Sequence, residues 1–442
     1  MAASAARASI YEKMFIQKEP GRGADIKGKT TSFDYYESVY SPEVSGTLTF
    51  FDAGSSIAAP KEQDKQQRRG SIKSSLPLTG YEKLIVKIAS KSGTLDLTKN
   101  PLIVNGVPTV AQQANRQTVF LPLKSGSTYE NLDIKNDCKK YEGPTISATV
   151  KAILKDLNIS ESRADIEDTQ NNYKFISAAT GGLDLINDLC RRSIPTNGGD
   201  PGFFFYETQD GVNFKSIDTL ISQDEVETYT YNGALKANID NDENDFRIIL
   251  PPNVIKDQDI EDALKWTNSR NVFFNPHTLE VEDSIYSIKT NPPKQTLGKR
   301  VPYTNKLKPK SYSTTNYHVL DIGSLNPTDI NPNNDPRAWQ AKSPMRYNLL
   351  HSQIMEIQVP CNLKLRAGNV IKVEFERQGD DKSLGGIDQQ TSGNFLILHL
   401  CHHFDTKKSF TSMTIIRDTY GVHTSNSLDD EDDDSLENIL FE

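Results

Sequence analysis

The chain has 442 residues, 36% apolar and 25% charged, which is long enough for two to four domains because single cores rarely grow past about 250–300 residues. Its formal net charge of −9 is concentrated at the end, since residues 428–442 hold eight acidic side chains and no Lys or Arg, leaving about −1 for the rest. A body without a basic field excludes tight duplex nucleic-acid binding as the main activity.

The lean apolar fraction points to small β-rich domains with much polar surface. No run of about 18 apolar residues and no apolar signal-peptide core occurs, so neither membrane insertion nor export is expected. Cys138, Cys190, Cys361 and Cys401 are dispersed without a Cys-x-x-Cys pair, which signals neither a zinc site nor a disulfide framework.

Residues 1–30 lack sustained periodicity and read as a flexible N-terminal arm. Order is expected from Thr31. Aromatic and β-branched residues dominate Phe33–Tyr40 and Val44–Phe51 on either side of Ser41-Pro42, with Val44, Leu48 and Phe50 on one face. A loop follows over 59–70, and strands recur near Ser71–Leu76, Lys83–Ala89 and Thr118–Leu123, making residues 31–134 a first β-barrel.

At Pro144 the period changes. Ile146, Val150, Ile153, Leu154 and Leu157 repeat at helical spacing, and a second helix is expected over Ile176–Arg192 with Gly181-Gly182 inside it, at about 1 kcal/mol each relative to Ala. Phe203–Tyr206 and Val212–Phe214 flank Asp210-Gly211, a hairpin turn signal, so the aromatics should pack on those helices. Residues 135–222 thus read as an inserted α/β domain. Strand character returns over 223–289, a Pro/Asn-rich stretch over 290–344 reads as an extended surface connection, and Ser343-Pro344 offers a cap and first-turn proline for a short helix. From residue 354 four alternating strands run to about 421, and with 223–289 the span 345–424 should make a second barrel. Residues 425–442 are an acidic tail. The fold class expected is mainly β, in an α+β multidomain chain.

Several segments together resemble one family. They are Tyr35-Tyr36-Glu37-Ser38-Val39-Tyr40-Ser41-Pro42 with Thr47–Asp52, Leu78-Thr79-Gly80-Tyr81-Glu82-Lys83-Leu84, and Phe203–Thr208 with Phe214–Asp218. The C-terminal part adds Val359-Pro360, Gly368–Val373, Gly393–Ile397, His402–Asp405 and Ile416-Arg417-Asp418. In order and spacing these resemble the central baseplate hub of T-even-type contractile-tail phages, related to the hub part of type VI secretion spikes. The resemblance spans most of residues 31–424 and leaves 1–30 and the acidic end unexplained.

It implies two tail-tube-like antiparallel barrels per chain and a homotrimeric, pseudo-six-fold ring joining a hexameric tail tube to a trimeric central spike. The implied partners are the spike, tail-tube or tube-initiator proteins, the tape-measure protein and baseplate wedge proteins, with DNA only in transit. It further implies a virion component assembled in the host cytoplasm, with no catalysis and no cofactor. The structural residues that carry the resemblance are Tyr36, Glu37, Ser38, Pro42, Asp52, Pro360, Gly368, Gly393 and Arg417. The hub of a contractile secretion or injection system is the alternative reading.

Four patterns invite sharper readings. Gly23–Thr30 matches the phosphate loop G-x-x-x-x-G-K-[ST], which would make the chain a nucleotide-dependent assembly enzyme, but no apolar strand precedes it and no helix is expected after it. His399, Cys401 and His403 share a strand face near His402 and Asp405, yet three ligands on one strand rarely close a tetrahedral site, so no metal is expected. Glu225, Glu227, Asp240, Asp242, Glu243 and Asp245 lack the apolar pocket that a general acid of a hydrolase needs. Leu436, Ile439, Leu440 and Phe441, tethered by the acidic run, could serve as a docking peptide.

Overall fold

The computed structural model describes residues 8–20, 22–52, 57–58, 69–70, 76–113, 116–132, 138–231, 247–257, 265–298, 312–322, 333–376, 386–388 and 391–419. The chain is mainly β, and its strands alternate inward and outward as a pleated sheet with one buried face requires. In Ser45–Asp52, for example, Gly46, Leu48, Phe50 and Asp52 point in while Thr47 and Phe51 are exposed.

The first module orders its strands as Thr30–Ser38, Ser45–Asp52, Arg116–Lys124, Leu102–Val104, Lys83–Ser90, Ile10–Glu19 and Arg22–Asp25. Met14, Ile16, Phe33, Tyr35, Leu48, Phe50, Leu84, Val86 and Leu121 share its core. Residues 10–25, expected as a flexible arm, are therefore part of this module. Ile10–Glu19 pairs with Lys83–Ser90 through Met14↔Val86 and Ile16↔Leu84, burying Met14 and Ile16, while the polar residues around them mask the alternation in sequence. Ser71–Lys73 and residues 59–68 lie outside the described residues.

The second module is built on the four expected strands, Gln353–Pro360, Val370–Phe375, Gly393–Asp405 and Ser409–Arg417. Thr228–Tyr231 adds in parallel to Val370–Phe375, and Asn253–Lys256 adds antiparallel to Gln353–Pro360. Arg247 bridges Thr230 and Ile248 joins this module's core, but the described residues 268–287 do not join its sheet. Asn268–Asn275 and Glu280–Ser287 form a separate three-stranded sheet with Thr314–Val319, which also corrects the reading of 290–344 as an extended connection only.

The two modules are not independent barrels. Gly393–Asp405 pairs with Val370–Phe375 through its first half, irregularity sets in between Ile397 and His399, and its second half pairs with Thr30–Ser38. One 13-residue strand therefore belongs to both modules and fuses them into a single sheet.

The insertion follows its periodicity. Thr145 caps helix Ile146–Asp156 by accepting from the Ala148 N–H, a cap worth about 1 kcal/mol, and Ile146, Val150, Ile153 and Leu154 are buried. The next helix is shorter than expected, Gly182–Cys190, with Gly181 as its N-cap and Ile176 in a strand, so neither glycine weakens a helix interior. Strands Phe203–Thr208 and Gly211–Ser216 form the hairpin. Its aromatics split: Phe203 and Phe205 pack on the helices, while Phe204 and Tyr206 turn to a core shared with Val370, Leu396 and Ile416. The last helix, Lys342–Leu349, has no side-chain cap, and Ser343 and Pro344 lie within its first turn.

Candidate functional site at the junction of the modules

Glu37 is an inward residue of Thr30–Ser38 and is almost fully buried. Its Oε1 accepts from the Tyr35 hydroxyl at 3.1 Å and the Gln209 N–H at 2.7 Å, and its Oε2 accepts from the Ala367 N–H at 3.0 Å. The three donors belong to the first module, the insertion hairpin and the second module. Burial pushes the Glu37 carboxyl up to about 7, against the opposing pull of the Arg366 guanidinium and the two backbone N–H groups. Arg366 in turn donates to Asp210 at 2.7 Å and to the carbonyls of Leu363 and Leu365.

Glu207, on strand Phe203–Thr208, repeats the device, accepting from the Val44 N–H and Ser127 hydroxyl and facing Arg163 at 3.4 Å. Gly368 completes the joint. It adopts φ +86°, and a Cβ there would meet the Tyr206 hydroxyl at 2.4 Å. Gly368→Ala is expected to lower stability by about 1–3 kcal/mol, from left-handed strain plus overpacking, and a denaturant titration of the purified chain reads it directly. Wild-type stability would refute the close approach.

Arg417 is buried in the second module. It donates to the Ser392 carbonyl at 3.0 Å and the Gln353 side chain at 2.7 Å, and its guanidinium lies 4.5 Å over the Phe395 ring. Gly393 is the buried first residue of the shared strand. Pro360 is buried opposite Phe410, Asp52 is buried opposite Gln117, and Pro42 sits half-buried in the turn before Ser45–Asp52. Tyr36 is exposed opposite Cys401, while the Ser38 hydroxyl meets His399 Nδ1 at 2.8 Å. Glu37 and Gly368 therefore meet at one joint, with Tyr36 and Ser38 on the other face of the same strand, and Arg417, Asp52 and Pro360 serve separate parts of the sheet.

A second buried cluster had no sequence signal of its own. Arg346, fully buried on Lys342–Leu349, faces Asp218 at 2.8 Å, Asp418 at 3.4 Å and Asp200 at 3.8 Å, and Lys342 pairs with Asp200 at 2.5 Å. Asp418 also accepts from the Leu297 N–H and Asp218 from the Asp200 N–H. Burial raises the Asp218 carboxyl, opposed by Arg346. The cluster ties the insertion, the helix and the end of the second module together.

The remaining patterns resolve into ordinary packing. Gly23–Asp25 lies in a hairpin strand opposite Phe15–Gln17, and Thr30 opens the next strand, so the phosphate-loop match has neither the preceding strand–loop geometry nor a helix to hold phosphates. His399 meets Ser38, His403 meets Asp34, and His402 is buried against Thr411, its imidazole held down to about 3 by burial. Among the described residues no group of three or more His, Cys, Asp or Glu is placed to hold a metal. Glu225 is exposed and Glu227 half-buried, whereas Asp240, Asp242, Glu243, Asp245 and the tail residues Leu436, Ile439, Leu440 and Phe441 lie outside the described residues. No helix among the described residues is long and apolar enough to cross a membrane.

No family model matches the chain, and no curated protein sequence matches it. Solved structures do. The 43 kDa tail protein of prophage MuSo2 from Shewanella oneidensis is 9% identical, over 92% of this chain and 98% of that one, with a TM-score of 0.51. The tail protein from Neisseria meningitidis MC58 is 11% identical, over 93% of this chain and 96% of that one, with a TM-score of 0.53. The chain shares the fold of these two tail proteins. Identities this low speak to the fold alone, which takes in both modules and the insertion together.

Proposed function

We propose that the chain is the structural hub of a phage tail baseplate: a homotrimeric ring whose six β-modules adapt a six-fold tail tube to a three-fold central spike. The observation that carries this reading is the pair of β-modules fused through Gly393–Asp405 within one hub-like chain. Three such chains supply six modules while keeping three-fold symmetry, and heterologous contacts that close a ring also cover sheet edges. The role is structural, with no catalysis, and the partners are spike, tube or tube-initiator, tape-measure and wedge proteins.

One surface suits a ring through which tape-measure protein and then DNA pass. The outer face of the fused sheet carries Tyr36, Ser38, Thr47, Thr49, Ser412 and Thr414, and a groove of about 550 Å³ lies over part of it. The nearby cation Lys124 is paired with Glu43. Fixed cations would retain phosphates, so a hydroxyl-rich wall favours free transit.

The test is the mass of the purified protein alone and mixed with a trimeric spike protein. Three copies per particle, capturing one spike trimer, are expected. A stable monomer or a two-fold dimer at all concentrations would sink the ring.

A further inference from the structure

Tyr40 follows strand Thr30–Ser38, and its ring reaches three other parts of the chain. Its hydroxyl lies 2.6 Å from His351 Nε2, just past helix Lys342–Leu349, with the two rings 13° from parallel. Phe204 of the insertion hairpin meets it edge-on at 5.5 Å, and the ring of His399 lies 6.2 Å away. His399 sits where strand Gly393–Asp405 passes from one module to the other, at the irregularity after Ile397, the kind of place where a strand bends. Its Nδ1 is 2.8 Å from the Ser38 hydroxyl, which also accepts from the Tyr40 N–H at 3.1 Å. Two imidazoles thus bracket one tyrosine at the seam of the modules, and Tyr40 and His399 are exposed to solvent.

Hydrogen-bond chemistry fixes the protonation of His351. The Tyr347 carbonyl, 2.8 Å from Nδ1, can only accept, so Nδ1 carries the hydrogen. Nε2 of the neutral ring is then a lone pair, and the Tyr40 O–H donates to it. A second proton must take that lone pair, which sets donor against donor and forces the Tyr40 hydroxyl round. Charge opposes it as well. Lys256 and His399 face His351, His351 faces His399, and Glu356 lies farther along the same groove, beyond Thr414. Burial, followed by Lys256 for His351 and by His351 for His399, holds both imidazoles below the usual histidine range, against the bond to Tyr347.

We propose that Tyr40, His351 and His399 form an acid-sensitive joint between the two modules, closed while both imidazoles are neutral and opened when they take up protons. A lowered folded value means that the joint's contribution is complete above about 6.5, the unfolded histidine value, and is lost as pH falls through the folded values. Opening frees the Tyr40 turn from the end of the helix and relaxes the seam that His399 crosses. Acid acts on Glu37 in the opposite sense, so the two effects separate by direction.

The test is an NMR titration of the histidines in the full chain, with His351→Gln and His399→Gln for assignment, joined to hydrogen exchange at about pH 7.5 and about pH 5. Exchange is corrected for its intrinsic pH dependence. Both imidazoles should titrate below about 6.5, and exchange over residues 38–41 and 347–352 should rise roughly tenfold or more in acid relative to strand Lys83–Ser90. Tyr40→Phe should raise the His351 titration, since no O–H then competes for the Nε2 lone pair, and His351→Gln should raise that of His399. A packing role alone would move neither. A wild-type His351 that titrates at its ordinary value, a Tyr40→Phe variant that leaves it unmoved, or equal exchange at the two pH values overturns the joint.

Discussion

Arg346→Ala is expected to destabilise the protein by about 3–5 kcal/mol, the usual consequence of removing one partner from a buried ion cluster. The guanidinium is fully buried among Asp200, Asp218 and Asp418, and only Lys342 would remain to oppose three carboxylates. Asp218 and Asp418 also hold backbone N–H groups of Asp200 and Leu297, so repulsion between them would loosen both segments. The deficit should shrink as pH falls from about 7 to 5, because burial already raises the Asp218 carboxyl and the variant lacks the Arg346 charge that opposes this rise. Chemical denaturation of wild type and variant at both pH values tests this. A variant within a few tenths of a kcal/mol of wild type would mean that the cluster is solvated.

The second large effect is a pH dependence written into Glu37. Its carboxyl is pushed up to about 7 in the folded chain from 4.5, chiefly by burial. A raised folded value means that the native state holds the proton where the unfolded chain has lost it. The group's stabilising contribution is therefore complete below about pH 4.5 and is lost as pH rises to about 7, on the order of 3 kcal/mol over that window. Glu37→Gln removes the titration and should flatten this slope. It also sets an amide N–H against one of the backbone donors from Gln209 or Ala367, which adds a penalty of about 1–3 kcal/mol independent of pH. The difference between wild-type and variant stability, plotted from pH 4 to 8, should change steadily across the window. A constant difference would place the Glu37 titration in its ordinary range.

Part of this architecture is legible in residue order. Ile146, Val150, Ile153 and Leu154 announce their helix because a 3.6-residue period puts them on one stripe. Asp210-Gly211 announces its hairpin because residue 211 sits at φ +145°, where a Cβ would meet the Arg163 carbonyl oxygen at 2.1 Å. The alternation Phe33, Tyr35, Glu37 even carries the junction, since it places a carboxylate on the buried face beside two aromatics. That signal lay in the pattern, but what the carboxylate binds did not, because Gln209 and Ala367 donate through their backbones and any residue but proline there would offer the same N–H.

Other features had no local trace. Residues 10–25 look like a polar arm because only Met14, Ile16 and Ala24 are buried in those two strands, too few to stand out among lysines and glutamates. Arg346 reads as a surface residue of a short helix until the folded chain brings three aspartates to it from positions 128 or more residues before it and 72 after it.

What residue order determined alone is therefore the type of the strongly periodic elements and the face they bury, because periodicity is a property of neighbours along the chain. Which strand lies beside which was decided by the tertiary structure. Backbone ladders such as His399–Asp405 on Ser32–Ser38 use donors and acceptors common to every residue, so their partners emerge only when the buried faces of distant segments are packed together.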